Sequence, residues 1–331
     1  MSEQFTIGIG TVGAGMWFSY DSGSKWRHIQ RHIDPEGNVR AVCVDPGDPK
    51  RILAASDRSG LFRSEDGGFH WFPLTSPITE GEIWTLAVDP TDSNRVYVGT
   101  RPGVWRSTDG GESWEQLEMG MNPQCPIGIS RTTNIVVDPR DPKTVWAGIE
   151  VDGIYRTDDG GDSWTHLSQI GPTQFHDDIH GLAVNAHDGG VDIMATTPFG
   201  MATSTDDGAS WDWHEFDGFE KGSGNPHAYC RSVLVKPGDP HTVLVGCGDY
   251  IPGAVGGIEV SRDGGRSFKR ASLPVEANST VYAMAMHRGV PGVVAASSVF
   301  GQIFLSHDSG DSWSKVDREF GEIRSITLSP A

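Results

Sequence analysis

The amino-acid sequence predicts an all-β fold: a seven-bladed β-propeller of four-stranded antiparallel blades, one domain over residues 1–331. Three observations predict it. An eight-residue turn is written seven times, apolar runs of strand length recur in fixed order around each copy, and the two ends of the chain read as parts of one blade.

The turn has the form Ser/Thr-x-Asp-x-Gly-x-x-Trp/Phe. It reads SYDSGSKW from Ser19, SEDGGFHW from Ser64, STDGGESW from Ser107 and TDDGGDSW from Thr157. It continues as STDDGASW from Ser204, SRDGGRSF from Ser261 and SHDSGDSW from Ser306, with copies starting 43 to 57 residues apart. That spacing is the length of a four-stranded blade. Asp and Ser side chains bond nearby backbone N–H groups and close the turn. Gly supplies backbone angles that a side chain forbids. The aromatic residue is expected to fold back and fill the wedge between adjacent sheets.

The strands repeat around this turn. An apolar first strand runs into a bend in VRAVCVDP, IWTLAVDP, TTNIVVDP, IHGLAVNA, CRSVLVKP, VYAMAMHR and IRSITLSP. A second follows, as in RILAAS, RVYVGT and TVWAGI, and a third leads from Gly into the turn, as in GLFRS, GVWRS and GIYRT. The fourth begins at the turn's aromatic residue. IRSITLSP is the last run of the chain, and TIGIGTVGAGMWFSYDSG near its start reads as second and third strands without a first. The N- and C-terminal strands are therefore expected to share one blade, which closes the ring and removes its open edges.

Composition agrees. The 43 glycines and 20 prolines are spread evenly between short apolar runs, the punctuation of an all-β chain, and 11 tryptophans argue for a large packed interior. A net charge of −18 argues against nucleic acid or an anionic membrane surface as partner, although much of that acidity belongs to the repeated turns. The start, MSEQFTIGIG, lacks the basic and apolar segments of a secretion signal, and no apolar run approaches membrane-spanning length. Four cysteines, Cys43, Cys125, Cys230 and Cys247, show no CxxC spacing, so a cytoplasmic protein with free thiols is expected. Cys230 and Cys247 would be antiparallel neighbours, where a local disulfide is also feasible.

Alternating strand direction sorts the connections onto two faces. The repeated turns and the Asp-Pro bends at Asp45, Asp89 and Asp138 share one; the long connections 118–132, 168–179, 215–230 and 248–257 fall on the other, where a site is expected. Aligning the first strands gives one residue per blade at the channel mouth: Arg40, Trp84, Thr133, His180, Arg231, Tyr282 and Arg324. Neighbouring positions add Arg131, His176, Asp177, Asp178, His227 and Tyr229. The second-strand ends add Asp57, Arg58, Arg101, Glu150, Asp152 and Asp249, and Glu82 and Glu322 precede Trp84 and Arg324.

Three guanidinium groups, Arg40, Arg231 and Arg324, converging on a channel would make a geometrically selective carboxylate or phosphate binder. In the alternative, each pairs with an acid such as Glu82, Glu322 or Asp57 and plugs the channel. His176, His180 and His227 with an acid are candidate ligands for a divalent metal ion. Alternatively His180 is a general base tuned by Asp178, or the loop 175–180 is a polar segment whose histidines cap backbone groups. Cys230, beside Arg231, reads as an activated thiol or, more simply, as a small core residue. The remaining histidines, His187, His214 and His241 among them, are expected on outer strands or the turn-bearing face with no special role.

The repeated turn resembles the Asp-box, or bacterial neuraminidase repeat, over nearly the whole chain. Sialidases share that repeat and grip a substrate carboxylate with an arginine triad, which Arg40, Arg231 and Arg324 resemble by position. Three departures weaken the match. Sialidases have six blades, the context here is Asn38-Val39-Arg40-Ala41 instead of a Phe-Arg-Ile-Pro-like run, and no tyrosine–glutamate nucleophile pair is assignable although Tyr282 occupies the ring. Seven blades are closer to the photosystem assembly-factor-like and sortilin-like propellers, which bind protein or peptide. They are also similar to each propeller of the xyloglucan-active glycoside hydrolases, whose two catalytic aspartates lie between two propellers where one is read here.

Two functions are thus expected from sequence. In the first, a hydrolase or lyase acts on a small anionic substrate, such as a sugar acid or other carboxylate. Arg40, Arg231 and Arg324 hold the anion, with Arg58, Arg101 and His227 near it and Trp84 shaping the pocket. His180, His176, Asp178 and Tyr282 supply acid–base chemistry, or the histidines hold a divalent metal. No redox cofactor motif is visible. In the second, a non-catalytic propeller binds an acidic peptide or protein partner as an assembly or scaffold factor.

Overall fold

The computed structural model describes residues 4–57, 60–78, 83–187 and 189–331. Among these the chain forms seven four-stranded antiparallel sheets, one two-stranded hairpin and one short 3-10 turn, the all-β content of a seven-bladed propeller. Sheet I contains Ile323–Pro330, Phe5–Thr11, Met16–Ser19 and Arg27–Ile29. Sheet II is Val39–Val44, Ile52–Ser56, Gly60–Ser64 and Phe72–Pro73; sheet III is Thr85–Asp89, Asp92–Gly99, Val104–Ser107 and Glu115–Leu117. Sheet IV is Thr132–Val137, Val145–Ile149, Gly153–Thr157 and Thr165–His166; sheet V is Gly181–His187, Gly190–Thr197, Gly200–Ser204 and Asp212–His214. Sheet VI is Tyr229–Val235, Val243–Gly248, Gly256–Ser261 and Lys269–Arg270, and sheet VII is Val281–Ala285, Val294–Ser298, Ile303–Ser306 and Ser314–Lys315. The shared blade expected from the two chain ends is present: Phe5 pairs with Pro330 and Ile9 with Ile326 across sheet I.

Burial explains the order of strands. The second strands Ile52–Ser56, Val145–Ile149 and Val294–Ser298 are buried at every position, because a central strand in a packed sheet has no wet face. The fourth strands are two or three residues long and largely exposed, as at Phe72–Pro73 and Thr165–His166, so each blade ends on a short edge.

The contacts fall into two compact units, one running through His28–Ile179 and the other through His180–Ala331 with the N-terminal strand. Within the first, Leu53, Ala55 and Leu61 pack on Leu86, Val96 and Val98, and Tyr97 and Val104 pack on Ile135, Val145 and Ala147. Within the second, Met194 and Met201 meet Val233, Val243 and Val245, while Leu244 and Ile258 meet Val281, Val294 and Phe304. The core therefore lies between consecutive sheets.

The repeated turns close as their composition requires. In the third copy Ser107 Oγ donates to Asp109 Oδ1 at 2.9 Å and accepts from the Gly111 amide at 2.8 Å. Asp109 Oδ1 accepts from the Ser113 amide at 2.8 Å, and Trp114 Nε1 donates to the Gly111 carbonyl at 3.1 Å. Gly111 has φ +98°, and a Cβ there would stand 2.9 Å from Leu74 Cδ1, so glycine is required. The Ser113 hydroxyl and amide, then Ser107, hold the Asp109 carboxyl down at about 2.

Cys230 and Cys247 are cross-strand partners in sheet VI, yet both are free thiols buried in the core. Burial pushes both thiols up, so an activated Cys230 nucleophile is not formed. No helix among the described residues is long and apolar enough to cross a membrane.

Candidate functional site

Five of the seven aligned positions share a local backbone irregularity. The register of the first strand slips between Val39 and Ala41, Thr132 and Asn134, Cys230 and Ser232, and Val281 and Ala283. It slips likewise across Ser325 and Ile323. The residue passed over is Arg40, Thr133, Arg231, Tyr282 or Arg324. Trp84 and His180 stand just before their strands, their amides donating to Gly99 and Thr196. A bulge leaves one residue out of the ladder and re-aims its side chain, which the sequence alignment alone does not reveal.

In the first unit the bulge residue Arg40 donates from Nε to Asp57 at 3.0 Å. Its guanidinium lies 4.7 Å from the ring centroid of Trp84, and that of Arg131 lies 4.4 Å from the same ring. Arg131 in turn donates to the buried Glu150. Two cations on one indole are thus each neutralised by a carboxylate, and each cation–π contact adds about 0.5–2 kcal/mol depending on its desolvation. Thr133 closes this region by donating to the Ile179 carbonyl at 2.6 Å.

The second unit repeats the motif with a phenol. The guanidiniums of Arg231 and Arg324 lie 4.5 and 4.7 Å from the ring centroid of Tyr282, which is 9% exposed. Arg231 donates to the phenol oxygen at 2.8 Å, and Arg324 is paired with Glu322. Burial pushes the phenol up, but the charges of Arg231 and Arg324 and their hydrogen bonds outweigh it, bringing Tyr282 down to about 8.

His180, 7% exposed, is engaged at both ring nitrogens. Nδ1 stands 2.9 Å from the Cys230 carbonyl, which can only accept, so Nδ1 carries the proton. Nε2 then accepts from the Tyr229 hydroxyl at 3.2 Å. His176, in the 3-10 turn Gln174–Asp177 of the first unit, places Nδ1 2.9 Å from Thr173 Oγ1. His227 lies 3.4 Å from Glu215, both half-exposed. Among the described residues no group of three or more His, Cys, Asp or Glu side chains is placed to hold a metal ion.

Several residues read as mouth-lining fasten loops instead. Arg101 donates to the Ile129 carbonyl at 3.2 Å and steadies the hairpin of Gln124–Cys125 and Gly128–Ile129. Asp152 accepts from the Asn122 amide and the Tyr155 hydroxyl, both at 2.9 Å. Asp249 accepts from the Ser223 and Ala254 amides at 2.7 and 2.8 Å. Asp177 accepts from the Ile170 amide at 2.9 Å while burial raises its pKa, and Asp178 is buried. Arg58 and Glu82 lie outside the described residues.

Sequence reasoning missed a set of exposed aromatic side chains. Phe199, Tyr250 and Phe300 stand 40%, 57% and 46% exposed at equivalent turns, between the second and third strands of sheets V, VI and VII. Two of these turns share an anchor: the Thr280 hydroxyl donates to the Tyr250 carbonyl, and the Phe300 amide donates to Ser279 Oγ at 2.9 Å. The ring of Tyr250 lies 6.0 Å from that of Tyr229, which lies 4.9 Å from His180. In the sequence Phe199 stands beside Gly200, which opens its third strand, and Phe300 beside Gly301 just before its own, whereas Tyr250 lies six residues ahead of Gly256 and carries no such mark.

No family model matches the chain. Xyloglucanase Xgh74A of Acetivibrio thermocellus is 32% identical over 114 residues, 29% of this chain and 14% of that enzyme. A probable oligoxyloglucan-reducing end-specific xyloglucanase of Neosartorya fischeri is 25% identical over 226 residues, 61% of this chain and 26% of the enzyme. The photosystem II stability/assembly factor HCF136 of Oryza sativa is 24% identical over 99 residues, 29% of this chain and 24% of that protein. The chain thus spans a quarter or less, roughly, of the curated relatives it matches. Among solved structures, YCF48 from Cyanidioschyzon merolae aligns with TM-score 0.63 and 16% identity over 87% of this chain and 88% of that one. YCF48 bound to D1 peptide aligns with TM-score 0.57 and 19% identity over 84% and 81%. The Niastella koreensis GH74 enzyme aligns with TM-score 0.63 and 14% identity over 97% and 66%. These likenesses show the fold: the chain is a seven-bladed β-propeller whose relatives include xyloglucanases and a photosystem II stability/assembly factor.

Proposed function

We propose that this chain is a binding propeller whose ligand is a polypeptide segment, acting as an assembly or scaffold factor. The observation that carries the reading is the internal engagement of the groups expected to do chemistry. Arg40 holds Asp57, Arg131 holds Glu150, Arg324 holds Glu322, Arg231 holds the Tyr282 oxygen, and His180 uses both ring nitrogens. A carboxylate ligand would have to displace an intramolecular acid at Arg40 and at Arg324, which removes most of the gain from binding. The small anionic substrate expected from sequence is not carried forward for that reason.

The exposed rings of Phe199, Tyr250 and Phe300 supply the docking surface, since aromatic side chains dominate polypeptide interfaces. The extent of the likeness to YCF48, most of both chains, supports a polypeptide as the partner, as does the peptide bound to YCF48. The seven turns are assigned to the Asp-box type on their hydrogen bonds, and free thiols fit a cytoplasmic setting. A second reading, glycan hydrolysis in company with another propeller, has the xyloglucanase matches in its favour.

A peptide array probed with the purified protein, run beside an assay on xyloglucan oligosaccharides, separates the two. The account expects peptide capture that falls at least about tenfold in Tyr250→Ala and Phe300→Ala, the size of a hot-spot loss, with no sugar release. Sugar release with capture unchanged in both variants would overturn it.

A further inference from the structure

Three junctions between consecutive sheets are bolted by arginine. Where sheet II meets the turn of sheet III, Arg63 and Arg51 donate to the Gly110 carbonyl at 2.8 and 3.2 Å. Where sheet III meets sheet IV, Arg106 donates to the equivalent Gly160 carbonyl at 2.6 Å, with Asp162 on its other nitrogen at 2.8 Å. Where sheet VI meets sheet VII, Arg262 donates to the Ser309 carbonyl at 3.0 Å. In each case the acceptor is the fourth residue of the repeated turn. At the junction of sheet VII with sheet I, the residue before the turn is Leu305, which is buried and packs at Gly23.

The junction of sheets V and VI carries no such arginine either. The residue before the turn Ser204–Trp211 is Thr203, too short to reach Gly264, the equivalent acceptor position. A cleft of about 590 Å³ opens there, with Thr203, Asp192, Asp212, Trp213, Gly264 and Arg266 in its walls. It continues along His187 and Asp192 to Asn185 and Asp263. Its chemistry suits a planar cation: the carboxylate of Asp212, an indole at Trp213, and a backbone turn that elsewhere receives a guanidinium, while Asp192 is paired with His187 at 3.1 Å and Asp263 closes its own turn through Ser261 and Ser267. Arg266 opposes this charge, but it leans back on the Asp263 carbonyl at 3.4 Å. Asn185, 2% exposed, donates from Nδ2 to the Pro240 carbonyl at 2.9 Å, while its Oδ1 has no hydrogen-bond partner. That is an acceptor in the wall of a cleft that asks for an N–H donor.

We infer that the cleft between sheets V and VI receives an arginine side chain from a partner polypeptide, in the place where sister junctions seat an arginine of their own. The inference rests on the polypeptide-binding reading and names a second point of contact for the same partner.

The test uses N-acetyl-arginine amide and its citrulline counterpart, titrated into isotope-labelled full-length protein and followed by NMR. The arginine compound is expected to move the Gly264, Gly265 and Trp213 indole N–H signals saturably, and citrulline to bind at least about tenfold more weakly, the loss of one charge-assisted contact. Thr203→Arg restores the internal bolt; it is expected to abolish these shifts and raise Tm. Asp212→Asn is expected to weaken arginine binding severalfold without changing the fold. Equal shifts with citrulline, or an undiminished arginine response in folded Thr203→Arg or in Asp212→Asn, would overturn the inference. The binding reading fails separately, if peptide capture ignores Tyr250→Ala and Phe300→Ala.

Discussion

Trp84 and Tyr282 each meet two guanidinium groups, at nearly the same distances, and the two regions differ in what the ring can do. The indole of Trp84 takes no charge at any accessible pH, so Arg40 and Arg131 are neutralised by Asp57 and Glu150. The phenol of Tyr282 can ionise, and it does part of the work that a carboxylate does beside Trp84, with Glu322 beside Arg324. One arrangement has a fixed charge; the other has a charge that depends on pH. The comparison shows that converging arginines in this fold are balanced from within, by whichever acid the ring position supplies.

Removing the acid most deeply buried should break the first region hardest. Glu150 is 7% exposed and Arg131 only partly so, and Glu150→Ala would leave a cation on Trp84 without its carboxylate. A loss of about 3–4 kcal/mol is expected in denaturant unfolding, in the range for breaking a buried pair.

The second region should reveal itself through pH. A tyrosine in the unfolded chain ionises near pH 10; Tyr282 in the folded protein does so at about 8. Between those values the folded form has shed a proton that the unfolded form keeps. Stability therefore rises with pH from 8 to 10, and this contribution is lost as pH falls through 8. Its full size is about 2–3 kcal/mol, and Tyr282→Phe should remove it. Of the six tyrosines, one should show a tyrosinate absorbance step near pH 8, absent in that variant, while burial holds Tyr97 up at about 12.

The smallest effect belongs to Glu322, which is more exposed than Glu150 and better screened. Glu322→Ala should cost about 1 kcal/mol or less and move the Tyr282 step further down, because Arg324 then has only the phenolate to neutralise. An equal loss in Glu150→Ala and Glu322→Ala would erase the distinction between the two regions.

The fold was legible because its signals are local and repeated. Asp109, Ser107 and Gly111 sit within five residues of one another, and the same turn chemistry recurs in every blade. The pairing of Phe5–Thr11 with Ile323–Pro330 was legible from what each chain end lacked. The site was half legible. Of the seven aligned residues, five lie within first strands and Trp84 and His180 just before theirs, and the alternative in which arginines meet acids named Asp57 and Glu322, which the ion pairs of Arg40 and Arg324 bear out. What it could not show was the bulge at five of these positions, or that Arg231 and Arg324 share one phenol from different sheets. For His180 the readings as metal ligand, base or backbone cap stayed open, because sequence does not reveal that the Cys230 carbonyl and the Tyr229 hydroxyl occupy its nitrogens. The residue before each repeated turn, by contrast, reads Phe18, Arg63, Arg106, Arg156, Thr203, Val260 and Leu305, so the lack of arginine at Thr203 was readable, although Phe18, Val260 and Leu305 share it and Arg262 bolts the junction after Val260 from inside its turn.

The central claim is that the inner-strand cations are held by partners inside the protein. The most direct measurement follows the side-chain Nε–H signals of Arg40, Arg131, Arg231 and Arg324 by NMR while acetate or a sugar acid is added in large excess. The account predicts signals that stay in place. A saturable shift of Arg40, Arg231 and Arg324 together, lost in Arg231→Ala, would contradict it and restore a carboxylate clamp.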